Sequence, residues 1–441
     1  MKIILPDAVN FIITTLQKNG FEAYAVGGCI RDSILNKVPK DWDITTSASP
    51  TDVINLFHKT IPTGLKHGTV TVIVDKFHYE VTTYRIDGEY TDNRHPDNVL
   101  FTKSLYEDLQ RRDFTINALA FNYLDGLKDP FNGKTDILNG IIRCVGVPDL
   151  RFEEDALRLL RAVRFSCEHN FKIDKATFDS IIKNFRLIES ISIERIRDEF
   201  SKILLSETPS LGIKTLNATN LLKLIMPELS LCVGFNQHNP HHNKDVFEHI
   251  MLVLDNTKKN LTLRLAALLH DIGKPKCFTL DANGIGHFYG HNKISFQISK
   301  EILKRLRYDN YTIDTVGILI KEHMVLANKM KEASIKKFIS RVGTSNLPLL
   351  FNLLEADLLG HKPPHDFSKI DYFKTSISEI LDRKEPFSLN QLAINGSDLI
   401  NLGYIKGPKI GFILNEILDL VLENPSLNTK EKLLEIAKNK L

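Results

Sequence analysis

Apolar residues recur along the chain at two spacings, and the spacing predicts the elements. Val9, Ile12, Ile13 and Leu16 stand three or four apart, which predicts a helix over 7–18 with one buried face, stopped by Asn19-Gly20. Ala23-Tyr24-Ala25-Val26 is short, apolar and aromatic, so it predicts a buried strand that enters a turn at Gly27-Gly28. Ser33-Ile34-Leu35 has helical character, and Asp43-Ile44-Thr45-Thr46 reads as extended. Ser49-Pro50-Thr51-Asp52 opens a helix over 51–58. The β runs 69–74 and 79–85, joined by 75–78, predict a hairpin beside the Asp strand. Residues 86–97 are polar and contain Gly and Pro, the composition of a mobile loop.

Beyond residue 150 the helical period takes over. Residues 153–164 read as one helix, with Ala156, Leu159, Leu160, Val163 and Cys167 on one side. Asp155, Arg158 and Arg161 fall on the other side, three apart and therefore neighbours. Residues 193–200 form a further helix. Phe247-Glu248-His249 begins another, and the apolar run from Ala266 ends one at His270-Asp271-Ile272-Gly273, while His291, His323 and Asp357 fall in later helical segments. The final stretch carries the stripe Ile413, Leu414, Ile417, Leu418, Val421. The fold class is α+β and multidomain. A mixed α/β segment over 1–150 is followed by helical segments over 151–235, 236–365 and 366–441.

Composition narrows this further. A chain of 441 residues, 43% hydrophobic and 25% charged, is that of a globular protein of two to four domains. Met1-Lys2-Ile3-Ile4-Leu5 meets Pro6-Asp7 too soon for a signal peptide, and no apolar run approaches the ~18 residues of a membrane span. The five cysteines (29, 144, 167, 232, 277) are scattered without a CxxC, which points to a reducing, cytoplasmic setting. Net charge is only +3, so a surface for a polyanion must be a local patch.

Candidate chemistry gathers at two places. A strand–Gly-Gly–helix junction suits phosphate, because backbone N–H groups approach closely and the helix dipole favours an anion; Arg31 adds positive charge. Strand period puts Asp41 and Asp43 on one face, where two carboxylates repel unless a cation such as Mg²⁺ lies between them. Glu80 either faces water or joins them. Asp155 and Arg158 read alone as an ordinary surface ion pair. The second place is the segment 238–365, which holds ten of the fifteen histidines. His238, His241 and His242 fall in a loop there, either facing a substrate or incidental.

The stretch Val26-Gly27-Gly28-Cys29-Ile30-Arg31-Asp32, followed by Asp41-Trp42-Asp43-Ile44, resembles the first motif of the bacterial tRNA nucleotidyltransferase and poly(A) polymerase family, a branch of the polymerase-β-like nucleotidyltransferases. Residues 105–120, around Arg111-Arg112-Asp113, resemble its next motif. Asp129-Pro130-Phe131-Asn132-Gly133 resembles its head-to-neck link, 193–200 its neck motif, and 394–400 with 402–411 its C-terminal body. The resemblance implies a head with a small mixed sheet, then an all-α neck, body and tail. It implies template-independent addition of C, C and A to a tRNA 3′ end from CTP and ATP, with pyrophosphate released. Asp41 and Asp43 would hold Mg²⁺, and Glu80 would help deprotonate the RNA 3′-hydroxyl. Gly27, Gly28, Arg31 and Arg112 would contact the nucleotide. Asp155 and Arg158 would hydrogen-bond the edges of C and A, with Arg161 and Arg164 continuing toward the triphosphate. The loop at 86–97, with Arg94 and Pro96, argues for addition of the terminal A; its rivals are an A-only adder and a poly(A) polymerase. Lys406, Gly407, Lys409 and Gly411 would meet tRNA phosphates or merely start a helix.

His270-Asp271, with His249 upstream and Asp357 downstream, resembles the HD metal-phosphohydrolase superfamily. Those four residues are the implied ligands, for a transition metal rather than Mg²⁺ alone, and metal-assisted attack of water on a phosphate ester is the implied chemistry. A dominant HD hydrolase is therefore the rival of a different class. Oligomeric state is left open.

Overall fold

The computed structural model describes residues 3–88, 99–238, 244–325 and 330–441. The chain forms two compact units, Met1–Pro227 and Glu228–Leu441.

The first unit is built on a sheet. Its strands are β1 (Ala23–Val26), β2 (Asp43–Thr46), β3 (Thr60–Gly64), β4 (Thr69–Val74), β5 (Phe77–Thr83), then β6 (Arg85–Asp87), β7 (Val99–Phe101), β8 (Ala120–Asn122) and β9 (Gly126–Lys128). Seven of them run in the order β3-β4-β5-β2-β1-β8-β9. Within that sheet β2 and β5 are parallel, and the other pairs are antiparallel. All four β1 residues are buried. Helix Asp7–Lys18 buries Val9, Ile12, Ile13 and Leu16, the face its spacing predicts. Helix Pro50–Leu56 starts at a capping box of Ser49 and Asp52 and ends short of residue 58.

Several boundaries differ from the sequence expectation. The hairpin turn is only Asp75-Lys76, with φ of 49° and 70°, so Phe77 and His78 belong to β5. Two consecutive left-handed residues match the twist of the flanking strands, which lets a two-residue turn close the hairpin. Residues 86 and 87 are not loop either: β6 pairs with β7 antiparallel, Ile86 opposite Leu100. Arg94 and Pro96 lie outside the described residues. The helix after Gly27 begins at Gly28, well before Ser33, and runs to Ile34.

The largest departure is at 153–164. Helix Pro148–Glu154 stops, Asp155 is extended (φ −141°, ψ 102°), and a second helix runs Leu157–His169. Asp155 and Arg158 are therefore not neighbours on one helix. The apolar face of the second helix survives: Leu159, Leu160, Val163 and Cys167 are buried.

The second unit is helical. Val246–Asp255 packs against Leu261–Leu269 and Leu347–Gly360, and Leu261–Leu269 packs in turn on Asn310–Glu322. Near the C-terminus Ile394, Leu399, Tyr404, Ile413, Ile417, Val421 and Leu433 form a separate core cluster. Gly407 caps helix Pro408–Glu423, whereas Gly411 lies inside its first turn. Among the described residues no helix is long and apolar enough to cross a membrane.

Candidate active site and metal centre

Sheet register assembles the first site. Val26 pairs with Asp43, so the chain reaches the Gly27 turn at the end of the sheet where β2 begins. Ile44 pairs with Val81 in the parallel ladder. One residue earlier on each strand stand Asp43 and Glu80, which strand alternation aims to the same face. Asp41, just before β2, Asp43 and Glu80 are all exposed. Although Asp43 reaches the surface, burial by the surrounding wall raises its carboxyl above the usual range; Arg112 opposes the rise, and Glu80 and Asp41 add to it. The charges of Glu80 and Asp41 thus both bear on Asp43, and oxygen donors of this kind suit a hard divalent cation. Cys29 sits behind Asp43, and burial pushes its thiol up to about 12, so it packs rather than reacts.

Gly27 has φ +82° and ψ −129°, and a Cβ there would lie 3.0 Å from Arg112 Nη1. Both the backbone conformation and the close approach require glycine. Arg112 hangs between carboxylates: Nη2 lies 3.5 Å from Asp108 Oδ2, while Arg112 exerts the strongest charge attraction on Asp43. Its Nε is buried with no hydrogen-bond partner among the described residues. Arg31 is buried in helix Gly28–Ile34 and donates from Nη1 to Asn117 Oδ1 at 2.6 Å and from Nε to Asp32 at 3.0 Å. Its charge is thus fixed beside the glycine turn by partners rather than held out into solvent.

Around Phe165 three guanidiniums gather, Arg31 at 5.1 Å, Arg161 at 5.2 Å and Arg164 at 4.2 Å from the ring centre. Each has its own acid: Arg161 donates twice to Asp113, and Arg164 Nε is 3.0 Å from Glu199. Burial, with Arg31 next, pushes nearby His169 down to about 3, so it is a neutral ring. Arg161 and Arg164, expected to continue toward the triphosphate, are each held by an acid within the fold, which gives both a structural role.

The Arg158 N–H donates to the Asp155 carbonyl at 3.0 Å, but the two side chains take different partners. The Asp155 carboxylate accepts from Leu157 N at 3.1 Å and from Arg195 Nη2 at 3.1 Å. Arg158 donates to Glu154 at 2.6 Å and to the Arg151 and Arg111 carbonyls at 3.1 and 3.0 Å. Neither is an exposed ion pair with the other. Sequence reasoning missed Arg195 as the Asp155 partner, since its helix, Ile193–Leu204, is forty residues downstream. It also gave no role to Asp108 or Asn117, though both lie inside the motif at 105–120.

The second unit holds the metal centre. His249 Nε2 is 3.3 Å from Asp271 Oδ2 and 3.1 Å from Asp357 Oδ1; His270 Nε2 is 3.3 and 3.5 Å from the same atoms. Three residues that the ligand set did not include join them, His291, His323 and His361, whose Nε2 lies 3.8 Å from Asp357 Oδ1. His291 Nε2 lies 3.2 Å from Asp271 Oδ1 and 3.2 Å from His323 Nε2. Nδ1 of His270, His291 and His323 faces a backbone carbonyl, of Ala267, Phe288 and Ile320, at 2.8, 2.8 and 2.6 Å. A carbonyl only accepts, so each Nδ1 carries its proton and each Nε2 turns inward as a lone pair. Lone pairs facing carboxylate oxygens and one another repel, and a shared cation, proton or metal, resolves the conflict. Burial lowers the His270 ring, but Asp271 outweighs it and drives that ring up to about 10; His323 is pushed down to about 4 by burial. Lys274 Nζ, 2.6 Å from Asp271, closes the cluster beside a cleft of about 450 Å³ lined also by His287, Phe288 and Tyr289. His238 is exposed, packs on Phe278 and takes no part; His241 and His242 lie outside the described residues.

A sheet-based head carrying paired acidic residues beside a Gly-Gly turn defines the nucleotidyltransferase class. Three family models match in succession: Poly A polymerase head domain over 23–143, Probable RNA and SrmB- binding site of polymerase A over 170–232, and HD domain over 241–346. The CCA-adding enzyme of Ligilactobacillus salivarius (strain UCC118) is 35% identical over 98% of this chain and 95% of its own. That of Staphylococcus epidermidis (strain ATCC 12228 / FDA PCI 1200) is 32% identical over 96% and 95%. The crystal structure of Bacillus stearothermophilus CCA-adding enzyme in complex with CTP superposes with a TM-score of 0.73 at 28% identity, covering 99% of this chain and 98% of that one. The chain belongs to the CCA-adding enzyme family.

Proposed function

We propose that this protein adds C, C and A to the 3′ end of tRNA, taking CTP and ATP and releasing pyrophosphate, in the cytoplasm. The observation that carries the reading is the meeting of Asp43, Glu80 and the Gly27 turn at one sheet end, under Arg112. Asp41 and Asp43 would hold Mg²⁺, which when bound supplies charge stabilisation at the attacking 3′-oxygen and the triphosphate. Glu80 takes the proton of the RNA 3′-hydroxyl. The Gly28 N–H, with Arg31 and the free Nε of Arg112, receives triphosphate oxygens, while Gly27, whose own N–H is given to the Leu119 carbonyl at 2.9 Å, shapes the turn that lets them approach. Asp155 offers an acceptor and Arg158 a donor fork, so together they would read the base edge in place of a template, once Arg195 and Glu154 give way. Arg161 and Arg164 orient that helix and add positive potential. The division into head (1–150), neck (151–235), HD domain (236–365) and tRNA-contacting tail (366–441) follows the same reading.

The test gives purified protein, Mg²⁺, and CTP and ATP separately and together to tRNA transcripts ending at the discriminator base, at C and at CC. Additions in the order C, C, A are expected. Addition of A alone to the CC-ended transcript would make the protein an A-adder, and long A tracts on any RNA a poly(A) polymerase. No addition on any transcript would overturn the reading.

The inward-facing Nε2 atoms support a second activity in the other unit, metal-assisted hydrolysis of phosphate esters. His249, His270, Asp271 and Asp357 would hold one cation, and Asp271, through its other oxygen, with His291 and His323 a second. Imidazole-rich sets suit Mn, Ni, Co, Fe or Zn. Release of phosphate from a generic aryl phosphate, dependent on added metal and lost in His270→Ala, tests it.

A further inference from the structure

Asp108 is the most heavily wired side chain near the carboxylate site. It is fully buried, yet it belongs neither to the acidic trio nor to any proposed nucleotide contact. Its Oδ1 accepts from Arg111 Nε and Nη2 at 3.0 and 2.7 Å and from Arg85 N at 3.4 Å. Its Oδ2 accepts from Thr45 Oγ1 at 3.1 Å and from Arg112 Nη2 at 3.5 Å. Thr45 stands two residues after Asp43 on β2, so it ties Asp108 to the strand that carries the acid. Arg112 is therefore drawn by two carboxylates, the buried Asp108 at 3.5 Å and, through its charge, the exposed Asp43.

We propose that Asp108 is a positioning residue for nucleotide transfer: it holds Arg112 back, so that the guanidinium does not neutralise Asp43 and the cation site stays open. The proposal rests on the metal-binding reading of Asp41 and Asp43. Freed from Asp108, Arg112 has the exposed acids as its strongest remaining attraction. It then competes with a divalent cation, and its Nε is no longer aimed where a triphosphate oxygen arrives. Arg111 contacts the same carboxylate but exerts no comparable pull on Asp43, which makes it an internal control.

The test is Mn²⁺ binding to the full-length protein, followed by electron paramagnetic resonance without nucleotide. The head site is defined as the binding lost in Asp43→Asn, which separates it from the HD cluster. Asp108→Asn is expected to weaken that binding by about tenfold, as a displaced neighbouring charge of this size can. Adding Arg112→Gln should restore it, whereas adding Arg111→Gln should not. Equal rescue by both would reduce the effect to net charge and overturn the proposal, as would rescue by neither. Thr45→Val loosens the same carboxylate more gently. It should weaken Mn²⁺ binding by about twofold with the same rescue pattern, which keeps the test open if Asp108→Asn does not fold. Unchanged Mn²⁺ binding in both variants overturns the proposal. Absence of Asp43-dependent Mn²⁺ binding in the native protein overturns the metal reading itself.

Discussion

Arg161 grips Asp113 through two hydrogen bonds, Nε at 2.8 Å and Nη2 at 2.6 Å, to a single carboxylate oxygen. The other oxygen accepts from Asn117 Nδ2 at 3.0 Å, and Asn117 in turn accepts from Arg31. A continuous polar chain thus links the glycine-turn helix to helix Leu157–His169, all inside the first unit.

Breaking that chain should cost stability. Burial alone would raise the Asp113 carboxyl, but Arg161 and the Asn117 hydrogen bond hold it well below the usual range. Arg161→Met leaves a carboxylate stranded, at a cost of about 3 kcal/mol, the low end for a buried pair because Arg161 is 31% exposed. Because the folded-state value is depressed, the Asp113 contribution is complete above the unfolded value of about 4 and is lost as pH falls through the folded one. Melting curves from pH 6 to pH 3 should therefore fall less steeply for Asp113→Asn than for the native protein. Parallel curves would disprove the linkage.

Gly27→Ala is expected to lose both stability and transfer. The backbone conformation costs a side-chain-bearing residue about 1–3 kcal/mol, and the new Cβ displaces Arg112. A variant that melts like the native protein and keeps its KM for CTP would contradict this.

Asp41→Ala should abolish all nucleotide addition and leave tRNA binding intact, as read by gel shift alongside primer extension. Retained addition would sink the metal assignment.

For Asp155→Ala and Arg158→Ala the expectation is loss of base choice more than of transfer. Arg195→Gln should also alter the ratio of C to A incorporation, since Arg195 is the Asp155 partner in the structure. Unchanged selectivity in all three would return these residues to a structural role.

His270→Ala should spare nucleotide addition and remove metal bound by the second unit, measured by metal content after gel filtration. Collapse of addition would mean that the cluster supports the head structurally.

Much of the first unit was legible in the sequence because local rules and tertiary packing agree there. The apolar face of helix Asp7–Lys18 and the buried strand β1 follow from spacing alone, and Gly27 signals a conformation that only glycine adopts readily. Strand periodicity predicts Asp41 and Asp43 on one face, but β2 begins only at Asp43, so Asp41 is placed by the segment before the strand. His270-Asp271, ending an apolar run, flagged the second site for a comparable reason.

What the sequence could not determine by itself is what depends on distant partners. Helical periodicity runs straight through 153–164, so nothing local marks the break at Asp155, which is stabilised by Arg195 from another helix. Glu80 read equally as a surface acid, and only the parallel pairing of β5 with β2 sets it beside Asp43. His291 and His323 start and end separate helices, and their Nε2 atoms meet at 3.2 Å only because tertiary packing brings those helix ends together. Periodicity fixes which face a residue occupies, whereas the partner on that face is chosen by chain segments far away in sequence. That is why the elements and the chemistry could be read from the sequence, and the wiring between them only from the fold.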